Sequence, residues 1–82
     1  SAIDAALAAA LYSARTDIPV DSGTAVIGEL SLAGEIRPVG KLRQRVKSAQ
    51  NLGFPTVLAP ENGTGIIKVE DIKELIKKLF GK

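Results

Sequence analysis

The sequence contains no cysteine, histidine, methionine or tryptophan. Without cysteine, neither a disulfide nor a thiolate zinc site can staple the chain. Without histidine, the commonest metal ligand and the commonest general base are both missing, and we assign no metal site. One tyrosine and two phenylalanines are the only aromatic residues. Tyr12, Phe54 and Phe80 are not interleaved with the basic residues, so a platform for stacking single-stranded bases is not supported. No apolar run approaches the roughly 18 residues of a membrane span, and no signal peptide is recognisable. The length of 82 residues sets one small domain at most. A fold of that size buries only about 60% of its unfolded surface and is marginal alone.

Acids and bases are unevenly spread. The formal charge is only +2. Residues 1–36 hold one base, Arg15, against five acids, whereas residues 37–47 hold five bases and no acid. A second lysine cluster near the C-terminus alternates with Glu and Asp and reads as a solvated face.

The chain is centred on Gly28 to Val39. Apolar runs over 24–32 and 35–39 flank Ala33-Gly34, where glycine suits a tight turn. Pro38 lacks an amide, so the second arm is an edge strand or leaves the sheet there. Before this unit, Ile3, Leu7 and Leu11, with Ala10 and Ala14 beside them, predict a helix over 3–15 buried through a narrow apolar face. After it, a helix is expected from near Gly40 to Asn51, with Leu42, Val46 and Ala49 as the buried stripe. Gly53 suits the position just past its end, and Phe54-Pro55 cannot extend it. Thr56–Ala59 reads as a strand parallel to the earlier one, because a helix joins them. Residues 66–69 are a possible further strand. Asp71 and Glu74 fit a capping box for a last helix whose stripe is Ile72, Leu75, Ile76 and Leu79. The element order predicts an α/β (α+β) layered fold with a small mixed sheet.

The phrase Gly28-Glu29-x-x-Leu32-x-Gly34-Glu35-Ile36-Arg37-Pro38-Val39 resembles the Lon-protease-type fold (the ribosomal protein S5 domain 2-like class). Within it, the phrase is similar to the C-terminal domain of the RadA (Sms) family of bacterial DNA repair proteins. Gln44-Arg45-Val46-Lys47 and Leu52-Gly53-Phe54 extend the likeness, and Asp4 suits a Pro-Ala-Ala-Asp pattern of that family. The resemblance implies that residues 1–82 are the C-terminal part of a Lon-like domain, cut from a longer protein. Removing the first part of such a domain is expected to leave a bare sheet edge and an apolar patch. The family's cysteine-rich zinc motif, its P-loop and its Lys-Asn-Arg-Phe-Gly motif do not occur in these residues. ATP, magnesium and zinc are therefore implied only for other parts of a parent protein, and no cofactor for this chain.

Lon-type peptidases use a Ser–Lys pair in which a desolvated lysine deprotonates the serine. Carried onto this sequence by the resemblance, the serine position falls on Ala2 and the lysine position on Arg45. Alanine offers no nucleophile, and a guanidinium does not deprotonate in a protein. No catalytic residue is assigned. A displaced pair, Ser1 with Lys41, is the alternative, since Lys41 lies one turn from Arg45 on the same face. Lys47 is rotated by about 200° from Arg45 and faces away.

The basic helix is the candidate nucleic-acid surface. Lys41 and Arg45 share one stripe, Arg43 and Lys47 the next, and Arg37 stands at the helix foot. The plain alternatives are a solvated face or a subunit contact. Gly63-Thr64-Gly65 lacks the lysine of a phosphate cradle and reads as a connector. The resemblance implies a non-proteolytic scaffold that contacts DNA weakly through phosphates and assembles as a homo-oligomer, a hexameric ring in the parent. It also implies a bacterial cytoplasmic location. Competing readings are a fragment of a Lon-type peptidase and a domain for oligomerisation alone.

Overall fold

Asp4 sets the start of the first helix. In the computed structural model, which describes residues 2–81, its carboxylate accepts hydrogen bonds from the amides of Ala6 (2.8 Å) and Leu7 (3.2 Å). That satisfies donors which have no partner inside a helix. The helix, α1, therefore spans Ala5–Thr16, and the residues before it form a short strand, β1 (Ile3–Asp4). The buried face is not the predicted one. Ala5 and Ala9 are sealed in the core, while Ile3, Leu7 and Leu11 are 44%, 53% and 58% exposed. Leu7 and Leu11 lie two residues on from Ala5 and Ala9, about 200° around the helix. The methyl face wins because small side chains let the helix backbone close on the sheet, and the Ala5 amide donates to the Gly28 carbonyl at 2.9 Å.

The expected single strand over 24–32 is two strands, β2 (Thr24–Val26) and β3 (Glu29–Leu30). Gly28 breaks them apart. A Cβ there would stand 2.9 Å from Ile36 Cγ2 and 3.3 Å from the Arg37 carbonyl oxygen, so only glycine allows that approach. The amide of Ile27 still donates to Leu58 of the other sheet, and from Gly28 onward the chain joins a different one. Strand β4 (Ile36–Arg37) follows the turn at Gly34, whose φ is +85°. The order β1-β3-β4 is antiparallel throughout, with Leu30 opposite Ile36. As expected from Pro38, β4 is an edge strand and ends before it. Its outer side is covered in part, because the Ile36 amide donates to the Glu70 carbonyl at 2.9 Å.

The second sheet contains β2, β5 (Thr56–Ala59) and β6 (Ile66–Lys68), all parallel, with β5 central and Val26 opposite Leu58. The fold class is as predicted, but the mixed sheet is divided into an antiparallel and a parallel one. Alternation along β5 builds two cores. Leu58 faces α1 and α3 (Ile72–Phe80), packing with Ala5, Ala9, Leu75 and Leu79, whereas Val57 and Ala59 meet Leu42, Val46 and Ala49 of α2 (Leu42–Asn51). The parallel sheet is thus covered by α2 on one face and by α1 with α3 on the other. Tyr12 and Phe80 join the latter two helices, their ring centroids 4.7 Å apart.

Helix α3 is capped as predicted at Asp71, which accepts from the Glu74 amide at 2.8 Å. The return arm is displaced by one residue: Glu74 accepts from the Glu70 amide at 2.8 Å rather than from that of Asp71. Helix α2 ends as expected, with Gly53 at φ +100° just beyond it.

Candidate nucleic-acid interface

The stripe Leu42, Val46 and Ala49 fixes the rotation of α2 by burying against β5. With that face inward, Arg43, Arg45 and Lys47 are all exposed, as is Lys41 at the N-cap. Among the described residues, none of these four cations forms an ion pair.

The helix start is unusual. Lys41 adopts left-handed backbone geometry, φ 57° and ψ 38°, and its side chain caps nothing. A non-glycine residue held there costs on the order of 1 kcal/mol. The first turn carries no acid and the last turn no base. A helix N-terminus carries roughly half a positive charge, so cations placed at that end oppose its field. Positive potential from the backbone and from the side chains is therefore summed at one end of α2.

Arg43 and Lys47 do not simply face bulk water. With Gln50 they form one wall of a groove of about 420 Å³. The opposite wall is the β5–β6 connection, including Glu61, Asn62, Gly63 and Thr64. Gln50 ties the two walls together, its Nε2 donating to the Thr64 carbonyl at 2.8 Å. Nothing in the local sequence signals this pairing of helix and loop. The Gly63-Thr64-Gly65 spacing was visible, but a side-chain bond across fourteen residues has no local signature.

Arg37 lies apart from the other four. It is in β4, where its Nη2 and Nε donate to Glu35 Oε1 at 2.6 and 3.2 Å. Both side chains are more than half exposed, so the pair contributes on the order of 0–1 kcal/mol to stability. Its effect on the charge map is larger, since Glu35 cancels most of the Arg37 field. Arg37 also lines a hollow of about 370 Å³ with Ala2, Ser31, Leu32 and Ala33. Ala2 is the residue onto which the resemblance carries the peptidase serine, and among the described residues no part of α2, Arg45 included, lines this hollow. The alternative involving Ser1 falls outside the described residues. No helix among the described residues is long and apolar enough to cross a membrane.

Comparison with known sequences gives consistent relatives. The pattern of the Lon protease (S16) C-terminal proteolytic domain matches residues 1–80. The chain is 58% identical over 59 residues to the DNA repair protein RadA of Treponema pallidum, covering 72% of this chain and 13% of that protein. It is 41% identical over 88 residues to RadA of Streptococcus pneumoniae, covering 96% of this chain and 21% of the relative. With RadA of Listeria monocytogenes it shares 40% over 86 residues, covering 94% and 19%. The chain thus spans about a fifth or less of the length of these relatives.

Proposed function

Since the chain belongs to the Lon protease (S16) C-terminal domain family, in the form found in RadA DNA repair proteins, we propose that it is a non-proteolytic scaffold contacting DNA through α2. The observation that carries this is the set of four cations without an ion pair among the described residues, three of them, Lys41, Arg43 and Arg45, at a helix start whose dipole disfavours them. An arrangement that opposes local stability suits a surface built to meet a polyanion. Arg37 contributes less, because Glu35 holds it.

The absence of a peptidase mechanism is part of the proposal. Ala2 has no nucleophilic atom and Arg45 cannot give up its proton. Within these 82 residues there is no cysteine for zinc and no P-loop for ATP. ATP hydrolysis, ring assembly and a cytoplasmic site of action are proposed for the whole RadA-type protein, of which residues 1–82 would form part of the Lon-like domain.

The test is a titration of labelled duplex DNA at several salt concentrations. Each phosphate neutralised contributes about −0.9 to the slope of log K against log salt. Changing Arg43 and Lys47 together to Glu should weaken binding at least tenfold near 0.1 M salt and flatten that slope by about 2. Changing Lys73 and Lys77 of α3 to Glu should alter it less than about twofold. The loss should not depend on DNA sequence, because phosphate contacts carry no base information. The same preparations should leave unfolded casein intact. Equal loss for both helices would reject α2 as the contact surface.

A further inference from the structure

We infer that the groove between α2 and the β5–β6 connection is a seat for one phosphodiester of a nucleic-acid backbone. The inference rests on the DNA-contacting reading above and narrows it to one half of the basic helix. The four cations of α2 are not equivalent. Lys41 and Arg45 line none of the described hollows, while Arg43 and Lys47 flank a concave polar one.

Three features suit that groove to a phosphate. The first is charge: Arg43 offers a planar fork of donors and Lys47 a compact ammonium. The second is backbone donors. Asn62, Gly63 and Thr64 line the opposite wall, and among the described residues their amides donate to no protein acceptor. Runs of free amides in glycine-containing loops form concavities that favour anions. The third is order. The Gln50 to Thr64 bond holds the loop at a set distance from the helix, so the two sets of donors are placed before a ligand arrives.

Glu61 is the one acid lining the groove. It repels a phosphate and gives the seat a signature that a diffuse basic patch lacks. Removing that charge strengthens binding wherever a phosphate lies within about 10 Å of it at 0.1 M salt, and the dependence of that gain on Arg43 and Lys47 is what marks the groove. The hollow of about 420 Å³ is shallow and largely open, with room for a phosphate, and no aromatic side chain lines it for base stacking.

The experiment compares variants of the protein on a labelled 20-base-pair duplex. Glu61→Gln should tighten binding about twofold to fivefold, the scale of one exposed charge interaction. That gain should vanish when Arg43 and Lys47 are both Gln, because the three groups act on one ligand. Gln50→Ala keeps every charge and should weaken binding about threefold by loosening the loop, the scale of one exposed hydrogen bond. Amide NMR shifts provide the independent reading: Asn62, Gly63 and Thr64 should respond to the duplex at lower concentration than to inorganic phosphate. If Lys41→Gln with Arg45→Gln abolishes DNA binding while the Glu61 and Gln50 variants bind like the parent, the seat is refuted and the DNA-contacting reading survives. If no change in α2 affects binding, both are refuted. Shifts of these amides with inorganic phosphate and none with the duplex would make the groove a free-anion site and overturn the assignment.

Discussion

Helices α2 and α3 each carry three basic residues within about ten positions, and they place them in opposite ways. In α3, Asp71 caps the start, Glu74 sits in the first turn, and Lys77 and Lys78 occupy the last. Those four charges agree with the helix dipole, and only Lys73, in the first turn, opposes it. In α2, the N-cap is an uncapping lysine in left-handed geometry, the first turn is basic, and the last turn has no base. Both helices are held by comparable apolar stripes against the same central strand, so packing does not explain the difference. One helix is charged so as to stabilise itself; the charge of the other works against its own stability. The same composition can therefore be a solvated face in one place and a candidate binding face in another.

That contrast can be broken or sharpened by stability measurements. The largest effect belongs to the core beneath α3. Leu75 is fully buried, and Leu75→Ala should cost about 2–5 kcal/mol in urea unfolding, a large part of the stability of so small a domain. Next come the caps. Asp71→Ala removes a side-chain bond to the Glu74 amide and should cost about 1 kcal/mol. Lys41→Ala removes no cap bond and should change stability by less than about 0.5 kcal/mol. Equal losses at the two positions would mean that α2 has a start signal the geometry does not reveal. The smallest effect has the opposite sign. Arg43→Glu places an acid in the first turn of α2 and should stabilise the fold by about 0.3–1 kcal/mol while weakening DNA binding. A lower melting temperature for that variant would remove the electrostatic contrast between the helices.

The apolar surface left on α1 belongs in the same frame. Leu7 and Leu11 are more than half exposed, while two alanines make the contact that a periodicity argument assigns to the larger side chains. Hydrophobic spacing identifies a helix and an apolar side, yet α1 has apolar residues on more than one side. Which of them turns inward depends on how near the sheet must come. Here Ala5 donates its amide to Gly28, an approach that a leucine at that place would prevent.

The residue pattern alone determined the elements whose signals are local. The stripe Leu42-Val46-Ala49, the stop at Gly53, the cap at Asp71, the turn at Gly34 and the parallel pairing through α2 all follow from spacing, φ preference or chain connectivity. The outward placement of Arg43, Arg45 and Lys47 follows from the buried stripe, whereas Lys41, expected one turn from Arg45 on the same face, lies before the helix in left-handed geometry where helical spacing does not apply. Tertiary structure decided what depends on residues far apart in the chain. It divided one sheet into two at Gly28, because Ile36 approaches too closely for any side chain there. It set Arg37 at the hollow beside Ala2, away from α2, while the Arg37–Glu35 pair, two residues apart, is a local contact. It also set Arg43 and Lys47 across from the loop that Gln50 holds in place, since a groove exists only when two separate segments are packed together.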